Sequence, residues 1–247
     1  MVGVSLKTYL DLEQTRSWLA GVAALGEQWG STAPGTGRVS VDVFVLPGYL
    51  SLPDARDLLA DSEVQYGAQD VSAQSRGPFT GEVLAEDLRA LGCTVAEVGH
   101  AERRRLFGED DAGTAAKAGA CVRAGLLPLV CIGEVSRSTA PDAVAACRPQ
   151  LGAILEAVPD GADVVFAYEP VWAIGAAEPA GADHIVAVID GLRGMVAGRS
   201  GSVRFLYGGS AGPGTYRRVA SAVDGLFLGR FAHDLGALAA VVDEIAG

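Results

Sequence analysis

The stretch LPLVCIGEVSRSTAPDAVAACRPQLGAILEAVPDGADVVFAY (127–168) decides the fold. It opens on an apolar run, Leu127–Ile132, passes through an Ala- and Leu-rich segment with helical spacing, Ala143–Val158, and closes on a second apolar run, Val164–Tyr168. Strands that are apolar at nearly every position suit a sheet covered on both faces. Working outward, further strands are expected at Val2–Leu6, Val39–Leu46, Val64–Ala68, Thr94–Val98, Val203–Tyr207 and Gly225–Leu228. Helical spacing recurs at Leu12–Trp29, Ala112–Ala124, Ala182–Val196 and Leu235–Ile245. Strand and helix alternate eight times, which favours a parallel sheet. Eight such units are too many for a half-Rossmann fold and fit a closed (β/α)8 barrel, expected as one domain over residues 1–247.

Composition agrees. The chain has 247 residues, 49% of them hydrophobic, and a formal net charge of −11. Nucleic acid and anionic membranes are poor partners for that balance, since both call for clustered Lys and Arg. There is no apolar run long enough to span a bilayer and no signal-peptide pattern at MVGVSLKTYL, so a cytoplasmic protein is expected. The four cysteines (93, 121, 131, 147) form no C-x-x-C pair and read as reduced, buried thiols. The three histidines (100, 184, 233) show no metal-ligand spacing, so no metal is expected.

In a barrel, chemistry sits just after the strands. Those positions hold Lys7, His100, Glu169, the turn Gly208-Gly209-Ser210, and Gly229-Arg230. Singly, each reads as a surface charge, a structural histidine or a turn. Together on one mouth they suit proton abstraction beside a carbonyl. A carboxylate moves the proton, an imidazole polarises oxygen, a cation stabilises the enediolate, and Gly-rich turns hold phosphate. The loops Asp70–Glu82 and Pro170–Gly181 are long for a compact domain, and the second can exclude water as a lid.

The motifs YGAQD (66–70), GPFTGE (77–82), VGHAERR (98–104), CIGE (131–134), AYEPVWAIG (167–175) and YGGS (207–210) run in order along nearly the whole chain. Together they resemble the triosephosphate isomerase family. The resemblance implies a cofactor-independent isomerase of a short phosphorylated sugar. It implies Glu169 as general base and His100 as a neutral electrophile kept so by a helix N-terminus. It implies Lys7 balancing substrate charge, with Glu102 positioning Lys7 or moving protons. Glu102 alternatively pairs with Arg103 or Arg104. The lid would run over Pro170, Val171, Trp172, Ala173, Ile174, Gly175 and Ala176, latched by Tyr207 and Ser210. Gly175, Ser210, Gly229 and Arg230 would meet the phosphate. Gln69 and Thr80 fall in segments the family uses between subunits, and loop 72–81 would join two copies in a homodimer.

Four departures from the family pattern stand out. Ser5-Leu6-Lys7 replaces Asn-x-Lys, Ala101 replaces serine, the second lid hinge is Ala177-Glu178-Pro179, and Gly229-Arg230 replaces Gly-Gly. Arg230 either reshapes the site, or points to solvent or pairs with Asp234. GLFLGR (225–230) and EPAGAD (178–183) are similar to a family branch that converts L-erythrulose 1-phosphate to D-erythrulose 4-phosphate. Asn→Ser at position 5 would make room for the extra carbon. The expected substrate is therefore L-erythrulose 1-phosphate, with triose phosphate as the alternative and an inactive phosphosugar-binding barrel as a third reading. A Schiff-base aldolase would need a desolvated lysine inside the barrel, whereas Lys117 falls on a helix.

Overall fold

A computed structural model describes residues 1–29, 39–176 and 180–247. Residues 30–38 and the hinge at 177–179 lie outside the described residues.

Eight parallel strands close into a barrel in chain order: β1 Val2–Ser5, β2 Val43–Leu46, β3 Gln65–Ala68, β4 Val95–Val98, β5 Leu127–Ile132, β6 Val164–Tyr168, β7 Val203–Tyr207 and β8 Gly225–Leu228. Closure is made by β1 against β8, with Val2 opposite Leu226. The described α-helices are α1 Leu12–Trp29, α2 Leu52–Leu58, α3 Ala85–Leu91, α4 Ala101–Phe107, α5 Asp111–Ala124, α6 Ala140–Ala157, α7 Ala182–Val196, α8 Tyr216–Val219 and α9 Leu235–Ala246. The (β/α)8 expectation is met. None of the described helices is long and apolar enough to cross a membrane.

Side-chain alternation along each strand builds two cores. Phe44, Leu46, Val95, Leu129, Cys131, Val165, Ala167, Leu206 and Phe227 fill the barrel interior. The intervening residues, such as Val2, Val4, Val45, Val130 and Phe166, pack outward against the helices. Burying each large apolar side chain contributes roughly 1.5–3 kcal/mol. At Gly3 a Cβ would lie 2.2 Å from the Phe44 ring, so glycine there makes room for the stacked Phe44–Phe227 pair.

Helix starts are capped by side chains of the expected kind. Asp110 accepts from the Gly113 N–H at α5, Thr139 from Asp142 at α6, and Asp234 from Ala237 at α9. Several limits differ from the sequence reading: β1 ends at Ser5 rather than Leu6, β3 begins at Gln65 rather than Val64, β4 at Val95 rather than Thr94, and α6 runs Ala140–Ala157 rather than Ala143–Val158. β2 starts at Val43, because Val39 is 62% exposed and its N–H donates to Ala246 O outside the sheet. The short helices α2, α3, α4 and α8 carry too few turns to show a period. α4, AERRRLF, has no buried residue at all.

Candidate active site

The end of β1 delivers two inward side chains. Ser5 closes the strand and is almost fully buried. Lys7 follows with φ +52°, a left-handed conformation that turns its side chain over the barrel mouth. The Gln69 side chain donates to both Lys7 O (2.9 Å) and Leu46 O (2.8 Å) and braces this turn. Lys7 Nζ lies 3.1 Å from Glu102 Oε2 and 2.8 Å from His100 Nε2. Burial opposes its charge, but Glu97, Glu169 and Glu102 hold its pKa above the ordinary lysine value.

His100 follows β4 and is the N-cap of α4. Its Nδ1 accepts from the Glu102 N–H at 3.1 Å. That hydrogen bond assigns the ring proton to Nε2, the nitrogen nearest Lys7 and Glu169. Burial first, and then the Lys7 charge, push the imidazole down to about 4, so it is neutral near pH 7.

Glu169 follows β6, its backbone N–H donating to Ile132 O at 2.8 Å. Its Oε2 is 3.5 Å from His100 Nε2 and has no hydrogen-bond partner among the described residues. Burial pushes this carboxyl up to about 8, against the pull of Lys7. At Gly208 any Cβ would stand 2.6 Å from Glu169 Oε1, so the turn after β7 leaves the carboxylate its place.

Lys7, His100, Glu102 and Glu169 line one cavity of about 530 Å³. Ser5, Gly175, Ser210, Gly229 and Arg230 line the same cavity. The acid at 169 and the imidazole at 100 therefore share a pocket. Of the alternatives for Glu102, the lysine pair is the one formed. Arg103 instead engages Asp70 and Glu109, and Arg104 engages Asp111. Arg230 does not take Asp234, which caps α9. Its guanidinium lies over the Tyr9 ring, 5.7 Å from the centroid, and beside Gly175. Ser210, φ +55°, donates to Ala173 O (2.8 Å) and Ala176 O (3.3 Å). Tyr207 OH donates to Gly209 O and accepts from the Ala180 N–H at 3.2 Å. These two side chains thus hold Ala173 and Ala176 on one side and Ala180 on the other. Val171–Ala173, after Pro170, is one 3-10 turn leading to Ile174 and Gly175.

A second carboxylate anchors that turn. Glu134, after β5, accepts from Trp172 Nε1 at 2.8 Å and from Tyr168 OH at 3.1 Å, with His184 Nε2 at 3.4 Å. Sequence reasoning quoted CIGE without giving Glu134 a role. It also missed Glu97 on β4, a carboxyl that is only 2% exposed inside the barrel. The available signal was parity: Glu97 shares the inward face with Val95 in a strand otherwise apolar. All four cysteines are free and buried. Lys117 lies on α5 and pairs with Asp70 and Glu109, away from the barrel interior. Among the described residues no three or more His, Cys, Asp or Glu side chains are placed to hold a metal ion.

With this geometry established, the chain was compared with known proteins. The family model described as triosephosphate isomerase matches residues 1–245. The chain belongs to the triosephosphate isomerase family. Like other members, it is an isomerase. An L-erythrulose-1-phosphate isomerase from Pectobacterium atrosepticum is 43% identical over 98% of this chain and 94% of its own. Triosephosphate isomerases from Cupriavidus taiwanensis and Thermus thermophilus are 43% and 42% identical, over 77% and 82% of this chain and 80% and 85% of theirs. Set beside the family motif, Ser5, Ala101 and Arg230 are the departures that lie at or next to the cavity.

Proposed function

We propose that this isomerase converts L-erythrulose 1-phosphate to D-erythrulose 4-phosphate. The observation that carries the chemistry is the approach of Glu169 Oε2 to His100 Nε2 at 3.5 Å in one buried cavity. In its ionised form Glu169, whose Oε2 has no hydrogen-bond partner among the described residues, takes the proton from the hydroxyl-bearing carbon beside the carbonyl. The electron pair moves onto the carbonyl oxygen and gives an enediolate. His100, neutral and with its proton on the cavity side, donates to that oxygen and relays the proton between the two oxygens. Lys7 offsets the developing negative charge, and Glu102 positions Lys7 through its 3.1 Å ion pair. Glu169 then returns the proton to the neighbouring carbon. Carbonyl and hydroxyl exchange places with no net oxidation, so the step needs no cofactor. A sugar cannot lie between atoms 3.5 Å apart, so ligand entry requires the Glu169 side chain to swing away from His100.

The phosphate is assigned to the backbone N–H groups of Gly175, Ser210, Gly229 and Arg230, with the Arg230 guanidinium adding charge. The lid is assigned to Pro170, Val171, Trp172, Ala173, Ile174, Gly175 and Ala176.

The four-carbon substrate is supported by near full-length similarity to the Pectobacterium relative and by the small Ser5 in the cavity wall. The triosephosphate isomerase names of other relatives favour dihydroxyacetone phosphate as the second reading. Measuring kcat/KM for both substrates decides between them, and a clear triose preference ends the four-carbon reading. Binding of phosphosugar without solvent proton exchange at the substrate carbon would leave only an inactive binding barrel. The intact Lys7, His100 and Glu169 set argues against that outcome. We also propose a cytoplasmic homodimer joined through loop 72–81. Its residues 74–81 are exposed, Phe79 among them. Sedimentation at a single-chain mass would refute the dimer.

A further inference from the structure

Glu97 has no part in the proton-transfer scheme, yet it is buried in the barrel interior beneath the site. It pairs in register with Leu129 of β5 and shares the inward face of β4 with Val95. Its Oε2 accepts from Ser5 Oγ at 2.9 Å, and Cys131 Sγ lies 3.7 Å from Oε1. None of the described ion pairs includes it. A carboxyl buried in this way destabilises the fold relative to an apolar side chain of similar size. Burial raises its pKa to about 7, so it is substantially ionised at neutral pH and above.

A serine hydroxyl has one proton and two lone pairs. Glu97 does not line the cavity, whereas Ser5 does. With the Ser5 proton committed to Glu97, what Ser5 shows the cavity is an oxygen acceptor. Ser5 sits two residues before Lys7 on the same inward face, deeper in the barrel than the loops assigned to phosphate. L-Erythrulose 1-phosphate differs from dihydroxyacetone phosphate by a hydroxymethyl group on the carbon that gives up the proton. That group lies at the end remote from phosphate, and its hydroxyl is a donor where the triose has only a hydrogen.

We infer that Glu97 is a positioning residue. It fixes the Ser5 hydroxyl as an acceptor for the terminal hydroxyl of a four-carbon substrate and so favours that substrate over a triose. The inference rests on the four-carbon reading above. A site built to meet a hydroxyl discriminates against the analogue that lacks it, because its buried polar atoms are then left unpaired.

The test measures kcat and KM for L-erythrulose 1-phosphate and dihydroxyacetone phosphate in the wild-type protein, Ser5→Ala, Glu97→Val, Glu97→Gln and the Ser5→Ala/Glu97→Val double variant. Ser5→Ala and Glu97→Val are each expected to lower the tetrose-to-triose ratio of kcat/KM by about 10-fold, mainly through KM. Glu97→Gln keeps an amide oxygen that accepts from Ser5 and is expected to retain most of the ratio. The double variant should fall no further than either single one, since both act on one contact. A role confined to folding would lower both substrates alike. An unchanged ratio in Glu97→Val, with wild-type preference for the tetrose, overturns the inference alone. A wild-type preference for the triose overturns the underlying substrate reading instead. If Glu97→Val does not fold, Glu97→Gln and Ser5→Ala decide: a ratio unchanged in Ser5→Ala is enough to overturn the proposal.

Discussion

The ends of β5 and β6 each present a buried glutamate, and the two are treated in opposite ways. Glu134 accepts from the Trp172 indole and the Tyr168 hydroxyl, with the His184 ring beside it. Glu169, one strand away, keeps an oxygen with no hydrogen-bond partner among the described residues, facing a neutral imidazole and a lysine. A saturated carboxylate holds structure in place, because moving it would strand several donors. An unsaturated one is held at a cost and is free to accept a proton. The two regions meet at Trp172, only three residues beyond Glu169, whose side chain reaches back to Glu134. The proposed lid is thus tied to Glu134, while its first peptide bond belongs to the proposed base.

Removing each carboxylate is the most direct way to break this contrast. Glu169→Gln is expected to lower kcat by about 10³-fold or more with the fold intact, since a general base is lost. Turnover near wild type, by a coupled assay with unchanged circular dichroism, would remove the proposed base. Glu134→Ala should act the other way round. It leaves the indole and phenol donors unpaired and is expected to cost about 3 kcal/mol in stability by denaturant titration, with a smaller loss of kcat. If Glu134→Ala were neutral in stability but inactive, the division of roles would be reversed.

The pH dependence of stability sharpens the same point. Glu169 is raised from the ordinary 4.5 to about 8 in the folded chain. The folded state therefore holds this proton more tightly than the unfolded chain does. Its contribution to stability is full below about 4.5 and is lost as pH rises through about 8. Glu169→Gln carries no such charge. Its stability relative to wild type should therefore improve between about pH 4.5 and about pH 8 and level off above that. A constant gap, measured by urea midpoints at each pH, would mean that Glu169 is not perturbed. The smallest effect is expected for Trp172→Phe, which keeps the ring and removes one donor to Glu134. About 1 kcal/mol should be lost, together with slower or looser closure of the proposed lid seen in ligand on-rates. Identical stability and kinetics would show that the Glu134 contact does not hold the lid.

Much of the fold could be read from the chain because burial on both faces makes β5, β6, β7 and β8 largely apolar runs, with Arg204 of β7 the one charged residue among them. Their observed limits equal those expected. Where one physical signal was weak, the reading slipped. Val39–Val41 looks like strand, but Val39 faces solvent and the ladder starts only at Val43. Short helices such as Ala101–Phe107 have no buried stripe to leave a period. At the site, strand-end positions named Lys7, His100 and Glu169 because the barrel topology gathers residues far apart in sequence. The supporting shell was harder to see. Gln69 bonds to two backbone carbonyls, at the end of β2 and just past β1, and Glu97 hides among apolar neighbours. Such partners depend on register across the sheet rather than on local spacing.

Among the described non-glycine residues, the only two with positive φ are Lys7 and Ser210, and both line the cavity. Each left-handed turn stores about 1 kcal/mol that a glycine would release. A laboratory selection for heat resistance alone would therefore drift toward glycine at those two places and yield a sturdier barrel that has forgotten its reaction.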